Sequence, residues 1–212
     1  MILKLWFNLL VVLILSVGCS TITKRSYPII DGAVFKGNNL NGSLEIRFVP
    51  DTEYTYYIET PLVEAVEDTK LFNEVSFKNI NIGSLDYSYF TDDEELLREI
   101  YERLPNVDPR SSKYVLDFIV VLRKINTRMW RAALSTITLG IHPSKTDFAY
   151  VVGIRLHHKG EIKNLVLSES YSNEKSIIPS KDSHLQFSWE KEPLVNLVKV
   201  ALEKYRSEGM LR

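Results

Sequence analysis

Tyr114-Val115-Leu116-Asp117-Phe118-Ile119-Val120-Val121-Leu122-Arg123-Lys124-Ile125 is the stretch from which the fold is read. Its apolar residues run almost without a break from Val115 to Leu122. Successive side chains of a strand point to opposite faces. A run that is apolar at both parities therefore predicts a central strand covered by protein on both sides. Downstream, Phe148, Tyr150, Val152, Ile154 and Leu156 alternate with other residues over Asp147–His157. Lys159-Gly160 turns the chain, and Glu161–Tyr171 returns, which predicts an antiparallel hairpin. Ser172–Ser183 reads as a polar loop. Leu194, Leu197, Val198, Ala201, Leu202 and Tyr205 then mark one stripe of a closing helix, with Gly209 as its stop.

Upstream, Thr91-Asp92-Asp93-Glu94 reads as a capping box. It opens a helix with Leu96, Leu97, Ile100, Tyr101 and Leu104 on one face and Pro105 at its end. Val75–Ile80 and Leu85–Phe90 are expected strands, and Thr60-Pro61 is expected to start a helix over Leu62–Phe72. Further strands are expected at Ala33–Lys36, Ser43–Val49 and Glu53–Glu59, with Gly37-Asn38-Asn39-Leu40-Asn41-Gly42 as a turn. Strands and helices mix without strict alternation. That predicts an α+β fold, a largely antiparallel sheet covered by amphipathic helices in one compact domain.

The N-terminus carries the clearest functional signal. Lys4 precedes the apolar Leu5-Trp6-Phe7 and Leu9-Leu10-Val11-Val12-Leu13-Ile14-Leu15, and Ser16-Val17-Gly18 lead to Cys19, the single cysteine. A basic start, an apolar run and small residues make a secretory signal. The run is about 14 residues, where a membrane span needs about 20. The competing readings are a plain cleaved signal or short anchor, and an ordinary buried thiol. The segment resembles the lipobox of the bacterial lipoproteins, with Leu15, Val17 and Gly18 matching and Ser16 where leucine is commoner. The resemblance implies that the Cys19 thiol takes diacylglycerol, that the chain is cut before it, and that the new amine is acylated, as by palmitate. It also implies a cell-envelope address. In a Gram-negative host Ser20, in place of aspartate, implies the outer membrane, facing the periplasm. The expected organisation is a signal peptide over 1–18, a lipidated, solvated tether over 19–28 and an α+β domain over 29–212.

Composition limits the alternatives. Losing the signal leaves 194 of the 212 residues, enough for one domain, and shifts the formal charge from −1 to −2 because Lys4 goes with it. Without a basic block there is no electrostatic case for nucleic acid. A 45% hydrophobic fraction argues against disorder. With no second cysteine, a secreted domain has no internal disulfide and depends on its core.

Catalytic and metal motifs are nearly absent. There is no His-Glu-x-x-His, Gly-x-Ser-x-Gly, phosphate-binding glycine loop or EF-hand loop. Ser172-Asn173-Glu174-Lys175 matches Ser-x-x-Lys, but it lies in an expected loop and lacks Ser-Asp-Asn and Lys-Thr-Gly partners. His157-His158 are adjacent on a strand and so point to opposite faces. His142 and His184 have no ligand partner nearby in sequence. The Asp92-Asp93-Glu94-Glu95 run is explained by the helix dipole. No metal, cofactor or catalytic residue is expected. The alternative is a lipoprotein hydrolase whose site the sequence does not reveal.

One segment stands out. Arg131 and Lys145 enclose Ala132-Ala133-Leu134-Ser135-Thr136-Ile137-Thr138-Leu139-Gly140-Ile141-His142-Pro143, which has no formal charge, and Met129-Trp130 precede it. It joins two expected strands, where a surface connection is usually polar. One reading is a helix or buried crossover on the sheet. The other is an apolar loop that dips into a bilayer or binds a partner through Trp130, Leu134, Ile137, Leu139 and Ile141. Trp130 beside Arg128 and Arg131 suits the headgroup zone.

Trp130 followed by Leu134-Ser135…Leu139-Gly140-Ile141-His142-Pro143, then a strand, a hairpin and a closing helix, is similar to a group of small uncharacterised bacterial envelope lipoproteins. Their Trp-rich stretch ends Leu-Thr-Leu-Gly-x-x-Pro and links two sheet strands. The resemblance covers about residues 114 to 206, and His142 stands where an apolar residue is usual. It implies a membrane-anchored, non-enzymatic protein of the envelope. The expected function is binding or assembly at the membrane surface, with the membrane and an envelope protein as partners.

Overall fold

The computed structural model describes residues 19–23, 26–35, 39–49, 58–83, 92–138, 144–176 and 192–211. The strands are β1 (Cys19–Thr23), β2 (Ser43–Val49), β3 (Glu74–Asn79), β4 (Tyr114–Thr127), β5 (Ser144–His158) and β6 (Glu161–Ser176). The helices are α1 (Glu59–Glu67), α2 (Asp93–Arg103), α3 (Met129–Ile137) and α4 (Glu192–Ser207), with a 3₁₀ turn at Gly32–Phe35. The expected α+β class holds. The described parts fall into two compact units. The described residues of the first lie within Met1–Ser26, Arg123–Ala149 and Ser170–Glu190, and those of the second within Tyr27–Leu122, Tyr150–Glu169 and Lys191–Arg212.

In the second unit the strand order is β6-β5-β4-β2-β3. β2 runs parallel to both β3 and β4. The sheet is therefore mixed, because α1 and α2 supply the crossovers that parallel neighbours need. Register aligns Leu44 with Tyr114, Ile46 with Leu116 and Phe48 with Phe118 on one face, and Arg47 with Asp117 and Val49 with Ile119 on the other. Phe48 stacks on Phe118 at 6.2 Å between ring centroids. Helices α1 and α4 pack against each other, and the Tyr205 hydroxyl of α4 donates to the Ile154 carbonyl at 2.8 Å. On the opposite face, Leu96, Leu97 and Ile100 of α2 form a core with Val49, Ile119, Val121 and Val151. Both faces of the 114–121 run are thus covered, which is why it is apolar at both parities.

Gly153 lets α2 come close to β5. A Cβ there would lie 2.5 Å from Leu97 Cδ2 and 2.9 Å from the Tyr101 hydroxyl. Gly153→Ala is expected to cost about 1–3 kcal/mol through overpacking, read as a lower urea midpoint at unchanged m-value.

Several boundaries differ from expectation. Gly32–Phe35 is a 3₁₀ turn rather than a strand, with Phe35 buried. Helix α1 starts at Glu59 behind Ile58, whose side chain cannot cap it, and Lys70 at φ 54° ends the following turn before Phe72. The cap of α2 is Asp92, which accepts from the Glu94 amide at 3.0 Å. Lys159 and Gly160 take φ 48° and 82°, the paired positive values of a tight hairpin turn. The expected strands at Glu53–Glu59 and Leu85–Phe90 lie largely or wholly outside the described residues.

In the first unit the order is β1-β6-β5-β4. Cys19–Thr23, expected as a free tether, instead pair antiparallel with β6, Cys19 opposite Ser176 and Thr23 opposite Ser172. The same pairing extends β6 to Ser176 through what reads as a loop. Arg128 donates its amide to the Lys145 carbonyl at 3.2 Å, so β5 begins where β4 ends. Phe148 stacks on Tyr171 at 5.0 Å.

Candidate membrane-facing site

Helix α3 forms because Ala132, Ala133 and Leu134 are strong helix formers. It has no side-chain cap at Arg128. At its other end the Thr138 hydroxyl donates to the Leu134 carbonyl at 2.8 Å. None of its residues is buried. Trp130, Leu134 and Ile137 fall at i, i+4 and i+7, which is one stripe. In an ordinary surface helix that stripe faces the core. Here Met129 is 83% exposed, Trp130 57%, Leu134 36% and Ile137 77%. The half-buried positions are Arg131, Ala132, Ser135 and Thr138. The helix turns its Trp130-Leu134-Ile137 stripe outward, with Arg131, Ala132 and Ser135 on the half-buried side.

The segment therefore begins as a helix, but not a buried one. Leu139 and Ile141 lie outside the described residues, as do His142 and His184. The Arg131 guanidinium sits 5.2 Å over the Trp130 ring, and Arg128 approaches Asp147 at 3.6 Å. Cys19 belongs to the same unit as α3. No helix among the described residues is long and apolar enough to cross a membrane.

The Ser-x-x-Lys match falls on β6, where residues three apart take opposite faces, whereas the motif needs a helical turn. The Ser172 hydroxyl donates to Asp147 Oδ1 at 2.5 Å. The adjacent histidines divide as their strand position requires. His158 stacks on Tyr114 at 3.7 Å, and burial, then the Lys159 charge, lower its pKa. His157 goes to Asp117.

Asp117 is the site that sequence reading missed. It is fully buried in the second unit. Its Oδ1 accepts from Arg47 Nε at 2.6 Å. Its Oδ2 accepts from Arg155 Nε at 2.8 Å and from His157 Nε2 at 2.9 Å. A carboxylate only accepts, so His157 carries its proton on Nε2. Burial alone would push the Asp117 carboxyl up. Hydrogen bonds from His157 and Arg47, with the charges of Arg47 and Arg155, outweigh it and hold the group below the usual range.

Arg155 also lies 4.3 Å over the Tyr101 ring, at a cleft of 710 Å³ between α2 and the β5–β6 hairpin. Burial raises the Tyr101 phenol against the opposing pull of Arg155, so it stays protonated. Among the described residues lining the cleft there is no serine, threonine or cysteine. The signal for this cluster was one acid in an apolar run. A buried carboxylate needs partners, and they come from β2 and β5, far away in sequence.

No family model and no curated protein matches the chain. Among solved structures, it is similar to a minor lipoprotein from Acinetobacter baumannii at 12% identity and TM-score 0.33, over 81% of this chain and 97% of that one. It is also similar to the PelC dodecamer from Paraburkholderia phytofirmans, at 10% identity and TM-score 0.25, over 75% and 82% of the two chains. A hypothetical protein from Chlamydia trachomatis is similar at 8% identity and TM-score 0.26, over 61% and 71%. Likenesses this loose carry no argument about function.

Proposed function

We propose that the chain is a lipid-anchored protein of the bacterial envelope that works by binding at the membrane surface, without catalysis. The observation that carries this reading is a coincidence within one unit. Cys19, preceded by a lipobox-like signal, shares that unit with α3, whose apolar stripe faces outward. Two acyl chains hold a protein stably where one would be marginal. A domain so held presents α3 to whatever lies at that surface. The hydrolase alternative draws no support from Ser172, whose hydroxyl is given to Asp147.

The test is the native N-terminus. Protein extracted from membranes is expected to begin at Cys19, with an N-terminal peptide heavier by diacylglycerol and one further acyl group. A chain that begins at Met1 with a free thiol, and that fractionates with soluble protein, overturns the reading.

A further inference from the structure

We infer that the outward face of α3 is a membrane-docking surface whose occupant is the headgroup layer of an anionic phospholipid bilayer. This rests on the reading of Cys19 as a lipid tether, which brings the first unit to that layer. Three observations favour the lipid. The apolar side chains Met129, Trp130, Leu134 and Ile137 are exposed on a helix that buries none of its residues. Helices that lie in a membrane interface present such a face, with Trp and Leu on the apolar side and basic residues beside them.

Charge is the second. From Arg123 to Thr146 the chain carries five basic residues and no acidic one. From Cys19 onward, the first unit has nine basic against four acidic residues, and the second sixteen against twenty-three. A chain of net charge near zero is thus divided into a positive unit that holds both the lipid-attachment residue and α3, and a negative unit. An anionic surface attracts the first and repels the second. The third is Trp130 itself, an amphipathic ring with the Arg131 cation over it, the pairing favoured at headgroup depth.

The test uses the full-length acylated protein reconstituted with vesicles. Trp6 leaves with the signal, so Trp189→Phe makes Trp130 the sole tryptophan of the mature chain. In vesicles containing phosphatidylglycerol and brominated phospholipid, Trp130 fluorescence is expected to be quenched. In phosphatidylcholine vesicles with the same brominated acyl chains the quenching is expected to be weaker. Raising salt from 0.1 to 1 M, which shortens the screening length from about 10 to about 3 Å, should remove most of that difference. Ile137→Asp, and independently Leu134→Asp, should abolish quenching while the acyl chains keep the protein on the vesicles. A thermal melt confirms that each variant is folded.

Unquenched Trp130 on sedimenting anionic vesicles overturns the inference and leaves the tether standing. Failure to sediment at all overturns both. Trp130 that is unquenched in lipid but becomes shielded in native envelopes also overturns it, in favour of a protein occupant.

Discussion

Asp117→Asn is expected to destabilise the second unit by about 3–5 kcal/mol, the usual cost of removing one partner from a buried ionic group. The substitution preserves volume, so packing is hardly altered and the effect is electrostatic. Arg47, with 5% of its side chain exposed, and Arg155, with 15%, would face each other with no carboxylate between them. At about 2–4 °C per kcal/mol for a domain of this size, the melting temperature should fall by roughly 6–20 °C. Replacing Arg47 and Asp117 together by apolar residues of similar volume should cost much less, because no charge is then stranded. Similar losses for the single and double variants would show that packing, not charge pairing, holds this region.

The same cluster sets an acid limit. The folded-state pKa of Asp117 is depressed. Its contribution is therefore fully present above the unfolded value, about 3.9 for aspartate. It declines as pH falls from there through the lower folded value, and is lost below both. Urea unfolding at a series of pH values should show this decline in the parent protein. In Asp117→Asn the acid side of the profile should be flatter.

The second large effect is expected at Cys19→Ser. On the proposed acylation, each buried CH₂ of the acyl chains contributes about 0.8 kcal/mol, so their loss is expected to remove most of the membrane affinity. The variant should leave the membrane pellet or accumulate as the unprocessed precursor. Fractionation with mass measurement distinguishes these outcomes. Unchanged mass and unchanged partition would show that Cys19 carries no lipid. On the inferred docking of α3, residual binding to anionic vesicles should persist without the acyl chains and disappear at high salt.

The strand framework was readable because its parity is local. Tyr114–Ile125, the Lys159-Gly160 hairpin and the Leu194–Tyr205 stripe each declare themselves within a dozen residues. The parallel pairings of β2 were not readable, since they join segments far apart in the chain. Asp117 was hidden for the same reason: its partners Arg47, Arg155 and His157 share its sheet face only once β2, β4 and β5 are in register. Helix α3 illustrates another limit. Its composition declares an amphipathic helix, but which side turns inward depends on neighbours that its own residues do not specify. Thr60-Pro61 suggested a helix start, yet α1 begins at Glu59, behind an apolar residue.

The pairing of Cys19 with Ser176 has a mechanical corollary. Ten flexible residues would form a leash with a root-mean-square length of roughly 17 Å, letting the body swing freely above the lipid. On the proposed acylation, the anchor instead emerges from a hydrogen-bonded strand and works as a peg. Tilt and height are then coupled to β6, and the protein's reach from the bilayer is set by its own dimensions rather than by slack in the chain.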